Sequence, residues 1–507
     1  MPVREEDVEF DPVDLSVLDP VCVVAQSLDN QWVPSGLLRR MMRRRRALDD
    51  VAATRTELVR AEYLRALVNA RQVVVNRAFL YNNPAVFADY VAPGAGREAF
   101  EKLLSSGAIM PFLFGERSPV QAPPYTTNPA GFGAWSEVSQ EVKMPCLRLS
   151  WDDRENLEYI RHQLVARFGD FAQGINRLDM AALLRDLGLS PDAGPALKER
   201  LTDISRRCVE WSGEDRDITR ENLYREFVVA DGTEPAEGKY DRDKPFAAEI
   251  KQLLDLNYNV NLPDALERFP LTPTETLHRT ALQEWQKSRR ENRELTPEEL
   301  LELLRNAAFD LVAGGQYIKS LGGLSLREIV TIRSTWQWDR YTSAMEGLMN
   351  DPLAFHDPDH GAPAVYAAYV ALAQEATKIA AEHKRERLAQ RWLPGIELVV
   401  EVAGAVVSVL WGEQSVVKVA GEVSKKVGDH AAPVVVRLVV RGITELGSRA
   451  DLATSIDFMT GEFDRAQTRW KELVSGLEKL PGYATAIEAV AAERPAANID
   501  YSGELYT

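Results

Sequence analysis

The sequence predicts a mainly α protein, built as multi-domain helical bundles with a minor strand component around residues 107–151. Apolar residues recur at alternating spacings of four and three between Val59 and Leu80, which is the period of a helix with a buried side. Helix-start signals are also frequent: Thr-Pro-Glu-Glu at 296–299 and Ser-Leu-Arg-Glu at 325–328 each place a capping hydroxyl before an acidic residue. The chain has 507 residues, 45% of them hydrophobic, which is enough for roughly two to four domains.

Composition and charge exclude some functions. The chain has 60 basic and 76 acidic residues, a formal net charge of -16, which disfavours general binding to nucleic acid but leaves room for one local basic site. Cys22, Cys146 and Cys208 lie far apart and show no Cys-x-x-Cys or Cys/His spacing, so neither a zinc site nor a disulfide framework is predicted. We therefore expect free thiols and no cofactor. The first residues lack the pattern of a secretory signal, which predicts a cytoplasmic location.

Three short segments favour strands over helices. The apolar run Val-Cys-Val-Val-Ala at 21–25 predicts a short strand, and Ala-Ile-Met-Pro-Phe-Leu-Phe at 108–114 predicts a buried one. The segment Cys-Leu-Arg-Leu-Ser-Trp at 146–151 can pair with the second of these. Between the first two segments, the spacing of apolar residues predicts a helical region from Ser35 to Tyr81.

Charge and proline content divide the chain into five predicted parts. They are an acidic lead-in at 1–33, a helical domain with a small strand element at 34–228, an acidic linker at 229–244, a helical domain at 245–391 and a valine-rich helical region at 392–507.

A run of six arginines lies between residues 39 and 46. On a helix these side chains spread around an amphipathic segment, and Arg39, Arg40, Arg43 and Arg44 are candidates for partner binding. The run can form a solvated helix surface, contact an acidic partner or the chain's own acidic linker, or bind nucleic acid. No glycine-rich turn precedes it and no aromatic residues interleave with it, which favours a surface over a nucleic-acid site.

The segment 392–443 is the most apolar part of the chain. Its longest apolar stretch, Ile396–Trp411, would span about 24 Å as a helix, short of the hydrocarbon core of a bilayer, and it contains Glu397 and Glu401. No constitutive transmembrane segment is therefore predicted. The segment fits either a buried helical core or a surface that opens towards a membrane or a partner.

Two further clusters are candidate sites. His356, Asp359 and His360 could ligate a metal if they were helical, although Pro358 favours a turn that merely precedes the next helix. Trp336 and Trp338 lie on a predicted helix, where two close tryptophans act as core anchors or as an interface hot spot.

Taken together, these features predict a non-enzymatic regulatory or protein-interaction protein with a protein partner. The sequence contains no nucleophile elbow, metalloprotease motif or phosphate-binding loop. Two alternatives stay open: a membrane-active or conformationally switching protein that uses residues 392–443, and an enzyme of unrecognised, metal-dependent chemistry.

Overall fold

The structure of the chain is a computed structural model that confirms a mainly α fold. It describes residues 18–24, 48–91, 95–114, 118–121, 126, 128–149, 158–233, 240–270, 294–314, 316, 321–392 and 432–492.

A small parallel sheet lies within the helical framework. Its five strands have the spatial order β4-β3-β2-β1-β5. The strands are β1 (Cys22–Val24), β2 (Gln72–Asn76), β3 (Ile109–Phe114), β4 (Leu147–Leu149) and β5 (Phe269–Pro270). Register is set by pairs such as Val23 with Val73, Val73 with Ile109, and Phe112 with Leu147. Every connection between neighbouring strands contains helices, as parallel pairing requires.

Strands β1, β3 and β4 lie where the sequence predicts strands, and β3 pairs with β4 as expected. The prediction of a helical region from Ser35 to Tyr81 is wrong at residues 72–76. The first helix ends at Asn69, and residues 72–76 form β2 between two other strands. A strand buried on both faces is apolar at every position, so Val73, Val74 and Val75 fit a helix seam and an inner strand equally well.

The helices of the first half surround the sheet and build a separate bundle. Around the sheet they are α1 (Leu48–Asn69), α2 (Arg77–Asn82), α3 (Pro84–Val91), α4 (Ala95–Ser105) and α5 (Pro129–Glu141). The bundle that follows contains α6 (Glu158–Gly174), α7 (Met180–Leu187), α8 (Gly194–Gly213), α9 (Arg220–Leu223), a π turn (Tyr224–Val228) and α10 (Ala247–Ala265).

The second half is helical. Its helices are α11 (Pro297–Gly314), α12 (Leu326–Arg333), α13 (Trp336–Asn350), α14 (Ala362–Trp392), α15 (Ala432–Leu477) and α16 (Tyr483–Ala492). The predicted capping box at 325–328 is confirmed: Ser325 Oγ accepts from Glu328 N, and Glu328 Oε2 accepts from Ser325 N. Thr296 and Glu299 exchange the same pair of bonds at the start of α11.

Three buried clusters form the interior of the described residues. The largest joins Val73 and Val75 on one sheet face to helices from both halves of the chain. A second covers the other face, where Val74 packs near Leu262 of α10. The third is the interior of the bundle α6–α10.

These clusters bear on the predicted domain boundaries. The largest cluster contains residues from both sides of the predicted linker 229–244, including Tyr63 and Tyr369. Val229, within that linker, is buried in the bundle together with Leu254. The division into five parts stays a prediction, and residues of different predicted parts share the same buried clusters.

Candidate functional site

The candidate residues Trp336 and Trp338 both lie at the start of α13, but one is exposed and the other is buried. Thr335 caps this helix, its hydroxyl accepting from the backbone N–H of Trp338. Trp338 is 8% exposed, and its indole Nε1 donates to the carbonyl oxygen of Val68 over 2.8 Å. Trp336 is 63% exposed. Residues two positions apart on a helix do not share a face, so the fold buries one ring and presents the other.

Arg333 holds the start of α13 against the end of α1. Its guanidinium donates to the carbonyl oxygens of Leu67, Ala70 and Arg71 over 2.5, 2.7 and 2.6 Å. The oxygen of Leu67 belongs to the last turn of α1 and those of Ala70 and Arg71 follow it directly. The C-terminal end of a helix leaves carbonyls without intrahelical partners and carries partial negative charge. The same guanidinium lies 4.4 Å from the ring centre of Trp338. Burial lowers the pKa of Arg333 to about 10, which still leaves the side chain charged at neutral pH.

An exposed stripe runs along α13 from Trp336. Arg340, Ser343 and Gly347 follow it at the spacing of one helix face, and all four residues are exposed. At the far end of the stripe, Arg71 donates to Glu346 Oε2 over 2.7 Å and to Ser343 Oγ over 3.3 Å. We call Trp336, Arg340, Ser343 and Gly347 the α13 stripe. The α13 stripe thus presents the exposed ring of Trp336 and the exposed guanidinium of Arg340. Its helix is held by Trp338 at its start and by the ion pair of Glu346 with Arg71 further along.

Other predicted partner-binding residues lie outside the described part of the chain. This applies to Arg39, Arg40, Arg43 and Arg44, whose contact with an acidic partner or nucleic acid stays a prediction. It applies also to residues 393–431 of the valine-rich segment. Residues 432–443 form the first turns of α15, which confirms helix there but gives no side-chain environment.

The histidine cluster forms a turn before α14. Asp357, not Asp359, organises it: the Asp357 carboxylate accepts from the backbone N–H groups of Asp359 and His360, and these bonds lower its pKa. His356 Nδ1 contacts Gln467 Oε1 on α15, and the side chain of His360 is exposed. Across the described residues, no three His, Cys, Asp or Glu side chains lie close enough to hold one ion. The structure therefore does not bring His356, Asp359 and His360 together, and a metal there stays a prediction.

A buried arginine at the carboxyl edge of the sheet escaped sequence reasoning. Arg77 directly follows β2 and is 1% exposed, and its Nη1 donates to the carbonyl oxygen of Pro119 over 2.6 Å. Trp135 Nε1 donates to the same oxygen over 2.9 Å. Open parallel sheets bind ligands at this edge. Arg77 of α2 and Trp135 of α5 thus both hold the segment 118–121 at Pro119. In the sequence, Arg77 directly follows Asn76, the residue that caps α2. This position indicates a buried site only if residues 72–76 are first recognised as a strand.

No family model, curated protein or solved structure matches this chain. Among the helices that the structure describes, none is both long and apolar enough to cross a membrane.

Proposed function

We propose that this chain acts as a non-enzymatic regulatory or protein-interaction protein, and that a protein partner docks on the α13 stripe. The single observation that supports this proposal is the exposure of Trp336 at the start of a helix whose neighbouring Trp338 is buried. Tryptophan and arginine are the residues most enriched among those that dominate binding energy. Trp336 and Arg340 lie one turn apart on the same exposed face.

The fixed backbone of the first turn of α13, which carries Trp336, supports the same proposal. Arg333 and Trp338 tie the first turn of α13 to α1, so a partner does not have to order the backbone on binding. Less ordering on association leaves more of the contact energy as affinity. The complementary partner surface would offer an apolar pocket for the indole ring of Trp336 and a carboxylate for Arg340.

The test is affinity purification of the tagged full chain from its native host under gentle conditions, with mass spectrometry of the proteins recovered. Trp336→Ala is compared with Val209→Ala, which truncates another exposed apolar side chain, 57% exposed, on α8. We expect one stoichiometric partner with the wild type and with Val209→Ala. Recovery with Trp336→Ala should fall at least tenfold, because truncating a central interface tryptophan typically costs about 2 kcal/mol or more.

Two results would contradict the proposal. One is equal recovery of the partner with Trp336→Ala, which would place the contact elsewhere. The other is a wild-type chain that purifies alone at its monomer mass. The hydrogen-exchange pattern of α12 and α13 serves as the folding control, since loss of an exposed ring leaves the packing around Trp338 unchanged.

A further inference from the structure

A groove between α11, α14 and α15 lies apart from the α13 stripe. The space in and in front of it, open solvent included, is about 320 Å³. Its walls are apolar: Tyr366 of α14 stacks on Phe463 of α15 with ring centres 4.7 Å apart, and Met459 lies one turn before Phe463. The described residues that line it are Leu311, Val312, Gln316, Tyr366, Tyr369, Met459, Phe463 and Ala466.

Gln316 supplies an amide group to this apolar groove. Its side chain is 3% exposed. The single hydroxyl proton of Tyr341 is donated to Gln316 Oε1 over 2.8 Å and is shared with the carbonyl oxygen of Asn69 at the longer distance of 3.1 Å. Burial raises the pKa of Tyr341 well above its usual value, so this hydroxyl stays protonated.

The bond from Tyr341 fixes the orientation of the Gln316 amide. Because Oε1 accepts that bond, the amide nitrogen Nε2 is the group left to pair, and it has no hydrogen-bond partner among the residues that the structure describes. A buried donor without an acceptor destabilises the folded state, so buried polar groups are almost always paired. An acceptor that entered the groove would remove this penalty.

We propose that this groove binds a small, mainly apolar molecule whose carbonyl oxygen accepts a hydrogen bond from Gln316 Nε2. Binding sites of this kind have apolar walls and a few polar groups that orient the ligand. Since none of the described lining residues carries a charge, a charged ligand would lose its hydration without an ion pair in return. Gln316 Nε2 needs a hydrogen-bond acceptor. We therefore expect the groove to prefer a ligand with a ketone, ester or amide oxygen over a pure hydrocarbon.

The test uses two ring compounds of nearly equal shape. Cyclopentanone carries the carbonyl oxygen, and methylenecyclopentane carries a CH₂ group in its place. Binding to the full chain is followed by NMR of ¹³C-labelled methionine methyl groups, with Met459 as the reporter in the groove and Met180 of the bundle α6–α10 as the reference. The Met459 signal is assigned from the variant Met459→Leu.

We expect a saturable shift of Met459 with cyclopentanone, at least tenfold tighter than with methylenecyclopentane, which corresponds to about 1.4 kcal/mol. Gln316→Met has nearly the same volume and lacks the donor, and it leaves Tyr341 the carbonyl oxygen of Asn69 as acceptor. This variant should bind both compounds equally.

Three results would overturn the proposal: no saturable shift of Met459 with the ketone, equal affinities of the two compounds for the wild type, or a ketone preference that persists in Gln316→Met. The comparison of the two compounds on the wild type needs no variant, so it decides the question even if Gln316→Met does not fold. Neither measurement depends on Trp336 or on a protein partner.

Discussion

Replacing Arg333 by methionine removes the guanidinium that ties α12 to the end of α1. Three hydrogen bonds from one charged group to the carbonyl oxygens of Leu67, Ala70 and Arg71 are lost. Each such bond contributes about 1.5 kcal/mol or more on its own. The three are not additive, and water can reach part of this half-buried site. We therefore expect a loss of about 3 kcal/mol in local stability.

The measurement is native-state hydrogen exchange, because a chain with several interiors does not unfold in one step and a single unfolding curve would not report this site. Peptides that cover the last turn of α1 and the whole of α12 should exchange about a hundredfold faster in Arg333→Met, since each factor of ten corresponds to about 1.4 kcal/mol. Arg333→Lys should recover less than half of the loss, because an ammonium group lacks the planar fork that reaches several carbonyls.

The matched control is Arg327→Met, which removes an exposed arginine from the same helix. It should change exchange by less than about twofold, within the usual effect of a surface substitution. If Arg333→Met accelerates exchange less than about fivefold, a loss of about 1 kcal/mol, the end of α1 does not depend on this side chain, and the argument for a fixed α13 stripe fails with it.

Three further predictions follow from burial and close packing. Trp338→Ala should lower stability by about 3–5 kcal/mol and Trp336→Ala by less than about 0.5 kcal/mol, as local hydrogen exchange of α13 can show. Gly361→Ala should destabilise the turn before α14, because its Cβ would lie 2.6 and 2.7 Å from two carbonyl oxygens and closer still to a third. Gly347→Ala, with open space around the new Cβ, should stabilise α13 by about 0.5–1 kcal/mol. Native-state hydrogen exchange should slow in α13 of Gly347→Ala and accelerate at the start of α14 of Gly361→Ala. Burial raises the pKa of each of the three cysteine thiols to about 12, so iodoacetamide at pH 8 should label the native chain about a thousandfold more slowly than the denatured chain.

Local patterns were sufficient for several elements. The capping box of Ser325 and Glu328 and the cap at Thr296 depend on residues within one helical turn, so their bonds can be read from spacing alone. The short apolar runs of β1 and β3 are too brief for helices and are bounded by turn residues, and both are strands.

Tertiary structure decided β2 and β5. The run Val73–Val75 is buried on both faces because β1 and β3 flank it, and a strand of that kind has no alternation that a single sequence could reveal. Phe269–Pro270 becomes a strand only by pairing with β1, some 245 residues away in the chain. Such pairing depends on partners distant in sequence, not on local propensity.

The candidate site shows the same division. The sequence by itself predicted a helix that carries tryptophans at 336 and 338, and helix geometry placed them on different faces. The separate start of α13 at the Thr335 cap came from the structure. Only the tertiary structure decided which ring is buried, since that depends on the carbonyl oxygen of Val68 and on Arg333, and α1 lies some 260 residues before α13. The amide of Gln316 is equally invisible in sequence as a binding group, because its surroundings depend on the hydroxyl of Tyr341 and on apolar side chains that α14 and α15 bring to the groove.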